Sequence, residues 1–207
     1  LLRPLLGVRR QALRDYLRGR GVDWIDDPSN DDESFERIRV RQALEVLEPL
    51  GIDVASLGQV AFNMARAREA LDWQAFLEAR RIATAEPGAI RFLWRAYRIL
   101  PDEIARRLLV RAIGWISGSD YPPRRTPMLD LIETLKRDAG GTLEGTRIKR
   151  YGQNLWVFRE FNAIKDLTCG TEDLWDAHWC LSGPRERDGL RIAALGETGL
   201  AQCPNWR

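Results

Sequence analysis

From about Val54 to Thr84 apolar residues return at helical spacing. Leu57, Ala61, Met64, Leu71, Ala75 and Ile82 fall on one face, while Arg66, Arg68, Arg80 and Arg81 lie mostly off it. At 1.5 Å per residue this helix would be about 45 Å long. Helices of that length connect domains or form the spine of a helical one, and Pro87-Gly88 ends this one. A chain of 207 residues has room for one to three domains and for a real core. Those on either side of the long helix differ in character, which gives an expected class of α+β, mainly α. The division expected is 1–50, the C-terminal edge of an α/β domain; 51–140, a helical domain; and 141–207, a small β-rich domain.

Within the first segment, Leu1 to Leu6 reads as the end of a strand. A helix from about Val8 to Arg20 follows, with Leu13, Tyr16 and Leu17 as its stripe and Gly21 just beyond it. Val22 to Ile25 is a second short apolar run. Strand, helix, strand is the order of an α/β edge whose main body would precede Leu1, and a chain opening on LLRPLLGVRR without methionine reads as a fragment. Beyond the long helix, Ile90 to Leu100 is apolar and aromatic and fits strand or helix equally. Pro101 starts a helix carrying Ile104, Leu108 and Ile113, which Ser117-Gly118-Ser119 breaks. Thr126-Pro127 opens another that buries Met128, Leu131, Ile132 and Leu135 and stops at Gly140-Gly141. Thr142 to Glu160 alternates around Gly152-Gln153-Asn154 and reads as a β-hairpin, with Trp156 and Phe158 expected in its core.

The stretch Asp26 to Arg41, DDPSNDDESFERIRVR, concentrates the features that could carry a function. Asp27-Pro28-Ser29-Asn30 is turn chemistry: proline pre-sets φ, and the Asp and Asn side chains can bond nearby amides. Asn30 and Glu33 have capping-box spacing, so a helix is expected to start just after them, with Val40, Leu44 and Leu47 buried. Arg37 and Arg41 would then share an exposed edge, with Arg39 between them. The same Arg-Ile-Arg-Val-Arg alternation also fits a short strand. One reading is a turn that delivers a guanidinium pair to a surface. The other is a capped amphipathic helix whose arginines only meet water.

Charge supports a nucleic-acid partner only locally. The net charge is +2, but residues 60–111 carry ten Arg against six acids, and 29 of the 32 basic residues are arginine. Arginine suits bidentate phosphate contact, although a codon bias would leave the same trace. Cys169, Cys180 and Cys203 are too few and too irregular for a disulfide framework or a zinc site, so no metal is expected and buried thiols are. No apolar run reaches a membrane span and the N-terminus lacks a signal-peptide pattern, so the expected compartment is the cytoplasm. GxxxxGK[ST], GxGxxG, GxSxG, HExxH and paired CxxC are all missing, and there is one histidine. No catalytic residue is assigned to this chain.

Read as a whole, the sequence resembles the tRNA(Ile)-lysidine synthases from the end of their catalytic domain onward. The resemblance is carried by RPLL at Arg3 to Leu6, by Arg10 with Tyr16-Leu17, and by Trp24 through DPSN at Asp27 to Asn30. Phe35 and the R-x-R-V-R run at Arg37 to Arg41 follow. Further matches are Leu100-Pro101, Tyr121-Pro122-Pro123-Arg124, Thr142-Leu143 with Gly145, Arg159-Glu160, Trp175-Asp176 and Leu195-Gly196. Two departures stand out. Ile38 occupies a position where the family commonly has Asn, and the family's phosphate-binding SGGxDS loop does not occur.

The resemblance implies a ligase that uses ATP and Mg²⁺ to adenylate C2 of the wobble cytidine in an isoleucine tRNA with a CAU anticodon. The amine of free lysine then displaces AMP. On that reading the ATP site of a PP-loop domain lies outside this chain, which supplies tRNA recognition and is inactive alone. The expected tRNA-binding residues are Asp27, Asn30, Arg37, Arg39, Arg41 and Arg124, and a homodimer is among the expectations. The competing readings are an RNA-binding module without catalysis and a helical interaction protein with no RNA role.

Overall fold

Glycines and prolines cut the chain into short elements around one long helix. The computed structural model describes residues 2–27, 32–137, 140–182 and 189–203. Two compact units result, Leu1–Met64 and Ala65–Arg207, and the class is α+β, mainly α.

The first unit contains α1 (Arg10–Gly19), α2 (Glu36–Leu47), a 3₁₀ turn at Glu48–Leu50 and the first turns of α3 (Val54–Ile82). Asp53 starts α3 with a reciprocal cap. Its carboxylate accepts from the Ser56 amide at 2.6 Å, while its own amide donates to the Ser56 hydroxyl at 3.1 Å. The strands expected on either side of α1 do not form. Arg3 to Val8 makes turns, and Val22 to Ile25 runs as irregular chain. A strand exists only as half of a ladder, and no described segment of this unit pairs with either run. Burial in α2 also departs from expectation. Ile38 is the buried residue, Leu44 and Leu47 are half-buried, and Val40 is exposed.

The apolar stripe of α3 splits along its length. Leu57 and Met64 are exposed, whereas Ala75 and Ile82 join the core of the second unit. That core lies between one face of a five-stranded antiparallel sheet and two helices, α5 (Asp102–Ser117) and α6 (Arg125–Lys136). The sheet order is β1-β2-β5-β4-β3, built from β1 (Ala83–Glu86), β2 (Ala89–Leu93), β3 (Gly141–Leu143), β4 (Thr146–Tyr151) and β5 (Asn154–Arg159). The ambiguous stretch after Ile90 is both things in turn: β2, then the one-turn α4 (Trp94–Tyr97). Leu155 faces Phe92, and Val157 is flanked by Ile90 and Ile148, so this face is the apolar one. Residues 141–159 therefore complete a sheet begun at residue 83, instead of standing apart as a domain from residue 141. A lone hairpin could not bury its apolar face by itself.

Register puts Trp156 and Phe158 on the opposite face from Leu155 and Val157, and both are only half-buried. The α6 residues Met128, Leu131 and Leu135 are buried as expected, and the helix begins two residues before Pro127. Beyond the sheet come α7 (Phe161–Ile164), the two-stranded ribbon of β6 (Thr168–Gly170) and β7 (Arg191–Ala193), and α8 (Gly196–Gln202).

The segment Trp175 to Trp179 is fastened to this framework by polar contacts. The Arg159 guanidinium donates to both Asp176 oxygens at 2.8 and 2.7 Å and to the Gly145 carbonyl at 3.1 Å. His178 Nε2 lies 2.8 Å from the Trp115 carbonyl, directly over Gly118. Gly118 has φ +68°, and a Cβ there would come within 2.9 Å of the imidazole, so the α5 C-terminus needs glycine on both counts. Cys180 is exposed and Cys169 and Cys203 are half-buried, so the thiols are not core residues.

Candidate nucleic-acid interface

The arginine-rich segment is held from both sides. Upstream, Asp26 accepts hydrogen bonds from Arg10, at 3.2 Å, and from Arg14 of α1. The Arg14 and Arg18 guanidiniums lie over the Trp24 ring, 5.5 and 5.8 Å from its centroid. Together these contacts tie the segment from Trp24 to Asp26 onto α1. Each ion pair is largely exposed and individually worth at most about 1 kcal/mol. Asp27 is exposed. Pro28, Ser29, Asn30 and Asp31 lie outside the described residues, and with them the proposed roles of the turn and of Asn30.

Downstream, α2 starts at Glu36 rather than just after Glu33. The cause is visible in what Glu33 does. Its carboxylate accepts from Gln42 at 3.1 Å, and its carbonyl accepts from Arg39 Nη1 at 2.8 Å, with Ser34's carbonyl next at 3.3 Å. Arg39 therefore fastens the entry to the helix. The Asp32 carboxylate accepts from the Ser34 amide at 2.9 Å, which holds its carboxyl below the usual carboxylate range. Phe35, at the N-cap position, supplies no side-chain cap; its ring lies 4.9 Å beneath the Arg37 guanidinium.

Arg37 and Arg41 stand one helical turn apart and exposed, about 6 Å between Cβ atoms. The helical alternative for this run is the one realised. Arg41 also lines an open groove of about 420 Å³, shared with Arg9, Arg10, Glu45, Glu48 and Asp53. Arg9 and Arg10 were not assigned a role from sequence, although their adjacency at a helix start was a visible signal. Asp53 is held below the usual carboxylate range, first by the Ser56 amide and then by its hydroxyl, with the Arg9 charge a smaller contribution. Arg124 belongs to the second unit, exposed at the N-cap of α6.

This arrangement can hold an anionic ligand by guanidinium contact. It contains, among the described residues, no nucleophile poised beside a base. Among the described residues no group of three or more His, Cys, Asp and Glu could hold a metal ion. A phosphate cradle is also wanting: a Cβ at Gly7, Gly19 or Gly21 would meet nothing within 4 Å, so no closely wrapped backbone surrounds them. The residues present do not by themselves fit ATP with Mg²⁺.

A family model described as PP-loop domain matches residues 1–47. Part of that domain thus lies within this chain, so the chain lacks the SGGxDS motif and not the PP-loop domain as a whole. Among curated proteins, a tRNA(Ile)-lysidine synthase of Ruegeria pomeroyi is 48% identical over 207 residues, covering 100% of this chain and 49% of that protein. One of Brucella ovis is 33% identical over 97% of this chain and 46% of its own length. One of Wolbachia pipientis wMel is 30% identical over 81% and 40% respectively. The chain spans about half the length of the curated relatives it matches.

Proposed function

The chain belongs to the tRNA(Ile)-lysidine synthase family, and we propose that within such an enzyme it supplies tRNA recognition. The whole protein would ligate lysine to C2 of the wobble cytidine of CAU-anticodon isoleucine tRNA. ATP supplies an adenylyl leaving group for that exchange, at a site formed by parts of the PP-loop domain outside residues 1–47. Free lysine and the tRNA are the partners proposed, and the cytoplasm the compartment.

One observation carries the reading: Arg37 and Arg41 are exposed one turn apart on α2, with the segment before them anchored through Asp26 and Arg39. Two exposed guanidiniums one turn apart, with no ion-pair partner among the described residues, suit bidentate contact with phosphate or a base edge. In this proposal Asp27 and Asn30 position the turn, and Arg124 adds a contact from the second unit.

The test measures binding of the 207-residue chain to CAU isoleucine tRNA and to methionine tRNA at low and moderate salt. Arg37→Ala and Arg41→Ala are each expected to weaken binding roughly tenfold. Their unfolding midpoints should stay within about 0.5 kcal/mol of the parent, since both side chains are exposed. The chain alone should bind and not catalyse. Losses of binding matched by equal losses of stability would refute the assignment, as would salt-insensitive association.

A further inference from the structure

The excess of arginine over acid read from residues 60–111 can be followed to its destinations. Arg68, Arg107 and Arg111 reach Asp72; Arg81 reaches Glu78; Arg91 reaches Glu86; Arg106 and Arg107 reach Glu103. Arg80 lies over Phe76. Arg95 and Arg98, on and just after α4, are exposed, and neither guanidinium has an ion-pair or hydrogen-bond partner among the described residues. Both line a half-open pocket of about 610 Å³, in the range of real ligand sites, with Lys136 from the end of α6 and Arg150 from β4. Asp102 is the single acid in its wall, and it already lies 3.5 Å from Lys136.

We propose that this pocket seats the phosphate backbone of the bound tRNA, with Arg95 and Arg98 each contacting a phosphate. The proposal rests on the reading that this chain binds tRNA. The wall argues for backbone rather than base. Trp94 and Tyr97 are 9% and 5% exposed, and the Arg150 guanidinium covers Trp94 at 5.3 Å, so no aromatic face is open for stacking. The cations are spread around an open rim, which suits successive phosphates of a strand. Arg95 and Arg98, without carboxylate partners among the described residues, lose little when phosphate displaces water, unlike Arg106 or Arg107, which would first give up an ion pair.

The experiment compares the 207-residue chain with its Arg95→Gln/Arg98→Gln variant across a salt series, using CAU isoleucine tRNA and methionine tRNA. Each phosphate contact contributes about 0.7 to 0.9 to the slope of log affinity against log salt, so the double variant should lower the slope by about 1.5. Affinity at low salt should drop tenfold or more, and equally for both tRNAs, because backbone contacts carry no sequence information. Arg20→Gln/Arg80→Gln, with the same loss of charge elsewhere, should leave the slope within 0.3 of the parent. An unchanged slope in a chain that still binds overturns the pocket and leaves the broader reading standing. So does a loss no larger than the control's, or one confined to a single tRNA. A parent chain that does not bind tRNA overturns both. Matching unfolding midpoints for parent and variants confirm that only the surface has changed.

Discussion

Replacing Arg159 by Met isolates the contact that fastens Trp175–Trp179 to the sheet. Asp176 is 8% exposed at its side chain and Arg159 21%, and two of the guanidinium's hydrogen bonds go to that one carboxylate. Methionine fills much of the aliphatic volume but leaves the carboxylate buried without a cation and the Gly145 carbonyl without its donor. Breaking one side of a buried pair costs 3–5 kcal/mol, and the partial exposure of Arg159 points to the lower end, about 3 kcal/mol. With a urea m-value of about 2 kcal/mol/M, the midpoint of the second unit should fall by about 1.5 M, read from tryptophan fluorescence. Asp176 has φ 49°, so its replacement must tolerate the left-handed region, which Asn does. Arg159→Met/Asp176→Asn removes both charges and should recover all but about 1 kcal/mol. A single variant within 1 kcal/mol of the parent would refute the reasoning, and so would a double variant as unstable as the single one.

Two further outcomes follow from the same physics. Asp72 is held below the usual carboxylate range, first by the Arg107 hydrogen bond and then by the charges of Arg107, Arg111 and Arg68. A depressed folded-state pKa stabilises above the unfolded value of about 4, and that contribution fades as pH falls through the folded value. The melting-temperature gap between the parent and Asp72→Asn should therefore be constant from pH 7 to 5 and narrow as pH falls below 4; a gap that does not change with pH across the acid range would contradict it. Ile38→Asn, which restores the residue common in the family, places an amide where Ile38 is 3% exposed. It should cost about 2 kcal/mol in the first unit, followed through Trp24 fluorescence during denaturation, and a neutral result would mean that the site already offers the amide a partner.

Local signals located α5, α6 and the turn at Gly152, because 3.6-residue spacing and turn chemistry act over a few residues, although neither helix starts on a side-chain cap and α6 begins before its expected Thr126-Pro127 start. They failed where the outcome depends on a distant partner. The alternation from Thr146 to Arg159 announces strands, yet only pairing with β2 determines that Leu155 and Val157, rather than the larger Trp156 and Phe158, face the helices. Val22 to Ile25 had strand composition and no ladder to join among the described residues. The candidate sites divide along the same line. The exposed pair Arg37 and Arg41 was visible because helix spacing alone puts both on one edge. The pocket at Arg95 and Arg98 was not, because Lys136 and Arg150 reach it from other elements, while the neighbouring arginines are cancelled by acids on α3 and α5. A count of basic residues cannot separate paired from unpaired cations; only the fold does. The surfaces with charge to spare are therefore where a phosphate backbone gains most and displaces least.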